Sequence, residues 1–376
     1  MKVIVIGAGL GGLALAHCLV RQGIDVQVHE RDESVAARFQ GYRIGLLDRG
    51  VDDLRSCVPA RLHPLLDAIS GDVTGPGRAV DDQLVVLGTA PPRDEGLLFD
   101  RDVLRHLLLA DLADRVHFGR KLDSYTELAD RTVRADFADG TSVTADLLVG
   151  ADGMGSTVRR QLLPEVKIVD LGVHGAIGRT MMTDRFAALV PGWSTMVCSG
   201  DLRLFLGKMP FRRPPREAAA ELAPDVVLPP TTSYLRWVML LPDGQAGLEI
   251  GAEPEATLDA VLDIVRDWHP ELRALIEEAD RNNSGVGPLR VGPRIDPWPT
   301  RAITLLGDAA HPMPPGGLGA NLAFRDARLL SETVTTWLAS GGALLPALSD
   351  YEREMCEYAS KAREEALATI PLPTRS

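Results

Sequence analysis

The chain has 376 residues, of which 45% are hydrophobic, and this is enough to bury large cores in two domains. The 40 Lys and Arg residues are scattered and are outnumbered by 52 Asp and Glu, so the net charge is −12 and neither a nucleic-acid nor a membrane partner is expected. The four cysteines lie far apart without a CxxC pair, which favours a reducing, cytoplasmic compartment and no metal site.

The first predicted elements are a strand, a glycine-rich turn and a helix. Val3–Ile6 is rich in β-branched residues, Leu13–Gln22 has helical periodicity, and the sequence between them fits GxGxxG. The first glycine permits a tight turn, the second lets a pyrophosphate approach the backbone, and the third lets the helix pack on the strand. The glycines also interrupt the apolar run, which argues against a signal peptide. The residues predicted to contact a dinucleotide here are Gly7, Gly9, Leu10, Gly11 and Gly12.

A second predicted strand, Asp25–Glu30, ends in an acid. Glu30 stands at the spacing at which a carboxylate accepts hydrogen bonds from an adenosine ribose. With the strand, turn, helix and acid all in register, the sequence predicts dinucleotide binding. The motif does not distinguish NAD from FAD.

Two later segments again place an acid after a buried strand. Thr144–Leu163 contains a turn at Asp152, and the apolar strand Ala302–Leu306 is followed by Asp308 at its carboxyl end. Ligands bind at this edge in such sheets. A helix predicted to start near Leu318 would direct free N–H groups and a positive dipole into the same crevice.

In this order, the motifs resemble those of the group A flavoprotein monooxygenases, which have the fold of para-hydroxybenzoate hydroxylase. The resemblance covers nearly the whole chain and rests on the glycine-rich turn with Glu30-Arg31, on GADGMGSTVRR and on GDAAHPMPPGGLGANLAFRDA. Two further segments, ARFQGYRIGL and FDRDVLRHLLL, look most like those of tetracycline-inactivating members. The resemblance implies an FAD site with Glu30 and Arg31 at the adenosine end, Arg38 and Arg101 beside the flavin, Asp308 near the ribityl–pyrophosphate region, and further contacts from Asp152, Gly317, Gly319, Ala320 and Asn321.

The resemblance also implies a reaction. NADPH or NADH would reduce FAD, which would react with O₂ to give a C4a-hydroperoxide and deliver one oxygen atom to an aromatic or polyketide-like small molecule, in secondary metabolism. The choice of nicotinamide cofactor stays open, and so does the choice between hydroxylation, epoxidation and Baeyer–Villiger insertion. A non-enzymatic flavin-binding protein with this fold is the alternative from another class. No residue is assigned as a substrate-activating base, and no oligomeric state is predicted.

His311 lies three residues after Asp308, which raises the question of a catalytic pair or a metal ligand. No acid–base partner or metal ligand stands at a diagnostic spacing from it, and the resemblance places it in the loop that shapes the flavin site. A structural role is therefore expected. The separation from His311 to Gly317 is six residues, one fewer than is common in the family, and this shortening is expected to alter contacts at the reactive face of the flavin.

The three motifs predict an α/β fold with a discontinuous Rossmann-like FAD-binding domain made of residues 1–69, 98–164 and 293–340. Residues 70–97 and 165–292 contain strand-like runs, among them 245–253, and are expected to form an interleaved, mostly antiparallel substrate domain. Residues 341–376 form a C-terminal helical segment, with a charged helix near 349–370. Five residues fall on the predicted sheet over the flavin, and a plain core position is favoured for each: Met181, Arg203, Phe205, Trp237 and Met239.

Overall fold

The structure is a computed structural model that describes residues 1–37, 41–242, 250–314 and 316–369. The strands in these ranges are β1 (Lys2–Ile6), β2 (Asp25–His29), β3 (Arg43–Leu46), β4 (Gly71–Asp72), β5 (Pro76–Asp81), β6 (Val86–Pro92), β7 (Leu97–Asp100), β8 (Val116–His117), β9 (Leu122–Glu127), β10 (Val133–Phe137), β11 (Ser142–Ala145), β12 (Leu147–Gly150), β13 (Val169–Met181), β14 (Thr195–Ser199), β15 (Leu202–Met209), β16 (Tyr234–Pro242), β17 (Gly285–Val291) and β18 (Ile303–Leu305).

The α-helices in the same ranges are α1 (Leu10–Arg21), α2 (Asp48–Cys57), α3 (His63–Ala68), α4 (Arg101–Leu109), α5 (Thr157–Leu162), α6 (Asp184–Ala187), α7 (Pro215–Leu222), α8 (Pro254–Ile264), α9 (Pro270–Glu277), α10 (Gly319–Ser340) and α11 (Leu344–Thr369). Short 3₁₀ turns occur at Ala60–Leu62, Ala113–Arg115 and Gly307–Ala309.

A parallel five-stranded sheet in the order β18-β12-β1-β2-β8 forms the base of the cofactor region. Its strands are apolar because helices and loops cover both faces, as in other parallel sheets. Ile6 pairs with Gly150 and with His29, so the carboxyl ends of β12, β1 and β2 meet at one edge. The glycine-rich turn and the turn at Asp152 follow two of these strands and therefore lie side by side.

Helices α1 and α10 pack against each other over this sheet. The first ten residues of α1, Leu10–Leu19, are all buried, as expected for a helix that is apolar on every side. The contact is close because an added Cβ at Gly11 would lie 3.1 Å from Cβ of Ala323 on α10. Both helices consequently begin at the same edge of the parallel sheet.

A second sheet has seven strands in the order β17-β13-β16-β15-β14-β5-β6 and is antiparallel except for the β14–β5 pair. One of its faces packs against α8 and α9 in a separate hydrophobic core that includes Trp237 and Met239, so the predicted core positions of these two residues are confirmed. The prediction is wrong for Met181, which is 42% exposed because it is the last residue of β13. Arg203 and Phe205 are half-buried on the face that does not pack on these helices.

Two three-stranded sheets complete the described part of the chain, in the orders β3-β7-β4 and β11-β10-β9. Strand β3 adjoins α10 and the cofactor region. Helix α7 packs against α3, and its residues Ala218 and Ala219 join the large core of the parallel sheet. The domain boundaries predicted from the sequence stay a prediction.

The predicted fold class is confirmed: a Rossmann-like parallel sheet, a mostly antiparallel second sheet and a C-terminal helix. The last helix begins at Leu344, earlier than the predicted start near residue 349. Most of the strand predicted over 245–253 lies outside the described residues, and α8 begins directly after it at Pro254. Within the described ranges, no helix combines the length and hydropathy that crossing a membrane requires.

Candidate cofactor and active site

A cavity of about 550 Å³ opens at the carboxyl edge of the parallel sheet. It is lined by the glycine-rich turn, the end of β2, the loop after β12 and the segment that leads into α10. The predicted site residues that line it are Gly7, Gly9, Leu10, Gly11, Gly12, Glu30, Arg31, Arg101, Asp152, Asp308, Gly317, Gly319 and Ala320. The sequence motifs, which are up to about three hundred residues apart, thus converge on one cavity.

The positions of the turn require glycine for different structural reasons. Gly7 has a φ of 109°, and an added Cβ there would lie 2.3 Å from the Ala151 carbonyl oxygen. An added Cβ at Gly12 would lie 2.2 Å from the Gly7 carbonyl oxygen, so close helix packing excludes a side chain. At Gly9, by contrast, no described atom beyond the chain neighbours lies within 4 Å of that position. Gly9 therefore leaves open space at the cavity wall, where α1 begins without a capping side chain among the described residues.

Glu30 at the end of β2 is held by the turn itself. Its Oε2 accepts from Ala8 N at 2.8 Å, and its Oε1 accepts from Asp32 N at 3.0 Å. The sequence interpretation missed Arg105, whose Nη2 lies 3.4 Å from Glu30 Oε2 and whose Nε donates to Ala8 O at 2.8 Å. Arg105 is buried and fixes the acid and the turn together. The signal for it was present, since it stands one helical turn after Arg101 on α4.

Asp152 contacts the start of the short helix α5, whose N-cap is Ser156, because its Oδ2 accepts from Thr157 N at 2.6 Å. Burial raises the pKa of Asp152, and hydrogen bonds from Ser156 and the backbone oppose that rise. Its Oδ1 is buried without a hydrogen-bond partner among the described residues. Arg159, which follows in α5, donates to Ala309 O at 2.9 Å and so connects this loop to the one that contains Asp308.

Asp308 lines the cavity in the 3₁₀ turn after β18. Its Oδ1 lies 3.4 Å from the position of an added Cβ at Gly319, so the acid stands beside the first residue of α10. Helix α10 begins at Gly319 without a capping side chain among the described residues. Its free N–H groups and the positive end of its dipole therefore belong to the cavity wall formed by Gly319 and Ala320.

Asn321 lies behind this wall and connects α10 to β3. Its Nδ2 donates to Gly45 O at 3.0 Å and to Gly317 O at 2.9 Å, and its Oδ1 accepts from Leu47 N at 2.9 Å. The predicted contact of Asn321 with the cofactor stays a prediction. The same holds for Arg38, which lies outside the described residues.

His311 has an acidic partner that spacing did not reveal. Its Nε2 lies 2.8 Å from Asp326 Oδ2, and the same oxygen accepts from Gly307 N at 2.7 Å. Asp326 stands 15 residues after His311, at no diagnostic spacing, and reaches it because α10 brings Asp326 back beneath the loop, so the structural role expected for His311 stays a prediction. Burial favours the neutral imidazole, but the charge and hydrogen bond of Asp326 outweigh it, so the pKa of His311 is raised. No group of three potential metal ligands occurs among the described residues.

These features fit the parts of FAD. The open space at Gly9 and the start of α1 suit a pyrophosphate, a carboxylate stands at the end of β2, and a second uncapped helix start faces the other part of the cavity. Two family models agree: residues 5–62 match an NAD(P)-binding Rossmann-like domain, and residues 293–366 match an FAD binding domain. The fold and site therefore define a flavoprotein of the Rossmann type.

The family follows from a solved structure. A protein from Photorhabdus luminescens subsp. laumondii, described as a candidate FAD-containing monooxygenase, is 30% identical with a TM-score of 0.82, over 98% of this chain and 97% of that one. The chain belongs to the family of FAD-dependent monooxygenases, as its sequence motifs predict, and FAD is its cofactor.

Curated relatives carry related names. The dual O-methyltransferase/FAD-dependent monooxygenase CTB3 of Cercospora nicotianae is 33% identical over 370 residues, which are 88% of this chain but 42% of that protein. This chain thus spans less than half of that relative. The 6-hydroxynicotinate 3-monooxygenase of Pseudomonas fluorescens is 28% identical over 96% of this chain and 89% of its own. The tetracycline destructase Tet(51) shares the fold, with a TM-score of 0.67 at 18% identity over 97% of this chain and 89% of its own.

Proposed function

We propose that the chain is an NAD(P)H-consuming monooxygenase that uses FAD to insert one oxygen atom from O₂ into an aromatic or polyketide-like small molecule. The observation that carries this proposal is that α1 and α10 both begin at one cavity, without a capping side chain among the described residues, and that Gly307 and Asp308 line the same cavity. Such an arrangement offers one positive helix end for a pyrophosphate and a second for the flavin ring.

The residues proposed to hold FAD follow the order of the cavity wall. Gly7–Gly12 and the start of α1 would bind the pyrophosphate, with Glu30 and Arg31 at the adenosine end. Asp308 would contact the ribityl–pyrophosphate region, and Arg101, Gly317 and Ala320 the flavin end. When bound, FAD stores the electrons taken from NADPH or NADH and activates O₂.

The chain's own contribution is positioning, electrostatics and exclusion of water. The N–H groups at the start of α10 would stabilise negative charge on the reduced ring. The hydrogen bond between Asp326 and His311 holds the loop that contains Asp308 in place. Asn321 holds the end of β3 against the start of α10. The site must exclude water, because water would divert the activated oxygen from the substrate.

An aromatic substrate is favoured by the relatives. The Pseudomonas fluorescens relative that aligns over nearly its full length is named for 6-hydroxynicotinate, an electron-rich heteroaromatic acid. We further infer that residues 1–69, 98–164 and 293–340 form the FAD-binding domain and that 70–97 and 165–292 form the substrate domain. The cytoplasmic location expected from the cysteines is part of the same proposal.

The test uses purified protein loaded with FAD. NADPH and NADH are supplied in turn with isotopically labelled O₂ and a panel of phenols, hydroxypyridines and polycyclic hydroxyarenes, and products are analysed by mass spectrometry. One labelled oxygen atom in an organic product supports the proposal. Oxidation of both nicotinamides with full release of hydrogen peroxide, and no labelled product from any panel member, contradicts it in favour of a flavin-binding protein without oxygenase activity.

A further inference from the structure

Two arginines meet between β3 and the seven-stranded sheet. Arg43 is the first residue of β3, and Arg236 lies in β16. Gly207 pairs with Arg236 in the register of β15 and β16, and an added Cβ at Gly207 would lie 2.9 Å from the guanidinium carbon of Arg43. The Arg43 guanidinium thus rests on Gly207, beside Arg236, on the sheet face opposite to Trp237 and its core.

No acid among the described residues neutralises this pair. Within the ranges that the structure describes, neither arginine has a carboxylate within salt-bridge distance, and Nε of Arg236 is buried without a partner there. Arg43 donates from Nη1 to Lys208 O at 3.0 Å. Two acids on neighbouring elements are engaged elsewhere. Asp100, which pairs with Arg43 in the β3–β7 register, accepts from Tyr234 Oη at 2.7 Å, and Asp280 binds Arg179 at 2.9 Å.

The pair is electrostatically unfavourable without a ligand. Burial, together with the charge of Arg236, lowers the pKa of Arg43 to about 9, and burial also lowers the pKa of Arg236. With a pKa of about 9, the Arg43 guanidinium keeps its proton at neutral pH. Two adjacent, partly buried cations are costly unless an anion compensates them, and a planar guanidinium recognises a carboxylate with two parallel hydrogen bonds.

The position of the pair relates it to the cofactor cavity. Ile44, the next residue of β3, lines that cavity, and successive side chains of a strand point to opposite sides. Arg43 therefore lies on the sheet side of the same strand that Asn321 fixes against α10. A ligand held by the arginines would lie between β3 and the seven-stranded sheet, adjacent to the flavin end of the cavity.

We propose that Arg43 and Arg236 form the subsite for a carboxylate of the substrate, which makes this chain selective for aromatic acids over their neutral analogues. This inference rests on the proposed function, since it assigns the substrate class of that site. Gly207 is part of the subsite because its missing side chain admits the Arg43 guanidinium.

The test compares acids with their carboxamides on the FAD-loaded protein. The probes are 6-hydroxynicotinate, salicylate and 3-hydroxy-2-naphthoate, each paired with the amide of the same ring, and binding is measured by the change in flavin absorbance. In the unmodified protein we expect the acids to bind roughly 10- to 100-fold more tightly than the amides, the worth of a charge-assisted pair of hydrogen bonds. Arg236→Met and Arg43→Met should each remove that preference and leave amide binding within about twofold.

The matched control is Arg203→Met, which removes one positive charge from β15 on the same sheet face, where Arg203 donates to Gly200 O at 2.6 Å. It should keep the preference for acids. A second route is Gly207→Ala, whose added methyl group should displace the Arg43 guanidinium and weaken acid binding without any change of charge.

The inference is overturned if the unmodified protein binds acids and amides equally, or binds no acid. It is also overturned if Arg203→Met loses the preference for acids as fully as Arg236→Met does. A changed FAD affinity or flavin reduction potential in Arg236→Met, with acid binding unaltered, would instead assign the arginines to the cofactor. The proposed function is tested separately. Selective binding of acids without an oxygenated product would contradict the proposed function and support the carboxylate subsite. Oxygenation of neutral rings that does not depend on Arg236 would support the proposed function and contradict the subsite.

Discussion

His311 Nε2 lies 2.8 Å from Asp326 Oδ2, and the two side chains are 8% and 0% exposed. Asp326 also accepts from Gly307 N and, through its other oxygen, from Tyr358 Oη. One buried carboxylate therefore connects the strand end before Asp308, the loop after it and the C-terminal helix. Neither residue lines the cavity, and this position favours the structural role predicted for His311.

This contact predicts a pH-dependent contribution to stability. The folded-state pKa of His311 is raised above its usual 6.5, so the contribution is complete below that value and is lost as the pH rises through the folded pKa. His311→Gln should therefore lower the free energy of unfolding by about 2 kcal/mol near pH 5.5 and by clearly less near pH 9, measured by urea unfolding. Tyr358→Phe is the control, because it removes another donor to Asp326 that does not titrate in this range. A loss for His311→Gln that is equal at both pH values would contradict the prediction.

The glycine-rich turn offers a matched pair of substitutions. Gly12→Ala places a methyl group 2.2 Å from the Gly7 carbonyl oxygen, whereas Gly9→Ala meets no described atom within 4 Å beyond its chain neighbours. Gly12→Ala should cost on the order of 3 kcal/mol of folding stability, while Gly9→Ala should leave stability within about 0.5 kcal/mol. Gly9→Ala should instead weaken FAD binding at least about tenfold, because its methyl group occupies the approach of the pyrophosphate. Thermal unfolding of the apoprotein and fluorescence titration with FAD separate the two effects, and unchanged FAD affinity in Gly9→Ala would refute this role.

The sequence predicted those parts of the site that depend on local pattern. A β-branched run, a GxGxxG turn and a terminal acid specify one strand–turn–helix unit, and the unit forms with Glu30 at the cavity. Partners supplied from elsewhere in the fold were not predictable. Asp326 reaches His311 because α10 folds back over the sheet. Arg43 and Arg236, which are nearly two hundred residues apart in the chain, meet where β3 faces the seven-stranded sheet. No spacing rule encodes such distances, since they depend on how the elements pack.

Asp308 provides a direct test of the proposed FAD contact at the end of β18. Asp308→Ala removes a carboxylate that lines the cavity beside Gly319, and the purified variant should retain less FAD than the yellow parent protein. We expect a loss of about tenfold in FAD affinity, the value of one or two hydrogen bonds to a charged group. Asp114→Ala, at an exposed aspartate in the turn Ala113–Arg115, is the control and should bind FAD normally. A parent protein that is colourless and binds NAD alone would be incompatible with the assignment.

Arg105 and Glu30 form a buried ion pair whose side chains are 2% and 7% exposed. Arg105→Ala removes the hydrogen bond to Ala8 O and the buried cation beside Glu30, whose carboxylate keeps the backbone donors Ala8 N and Asp32 N, so it should cost on the order of 3 kcal/mol of folding stability. A double-mutant cycle with Glu30→Gln should give a coupling energy of at least about 1 kcal/mol. Arg31→Ala is the control, since Arg31 is 53% exposed, and should change stability by less than about 0.5 kcal/mol. Additive losses in the cycle would show that the two side chains act independently.

Glu352 is fully buried on α11, where its Oε2 accepts from Thr300 Oγ1 at 2.6 Å. Burial raises the pKa of Glu352 from 4.5 to about 7, against the hydrogen bond from Thr300. Because this folded-state pKa lies above the unfolded value, the protonated carboxyl stabilises the fold at low pH, and that stability is lost as the pH rises from about 4.5 through about 7.

Glu352→Gln keeps the shape of the protonated side chain and cannot ionise. The variant should match the parent near pH 4.5 and exceed it by about 3 kcal/mol in free energy of unfolding near pH 8.5, since each pKa unit corresponds to about 1.4 kcal/mol. Glu357→Gln on the same helix, at an exposed glutamate, should give no such gain. If the parent and Glu352→Gln follow the same pH profile, the carboxyl of Glu352 must ionise in the folded protein at its ordinary pKa, and the docking of α11 would not depend on its protonation.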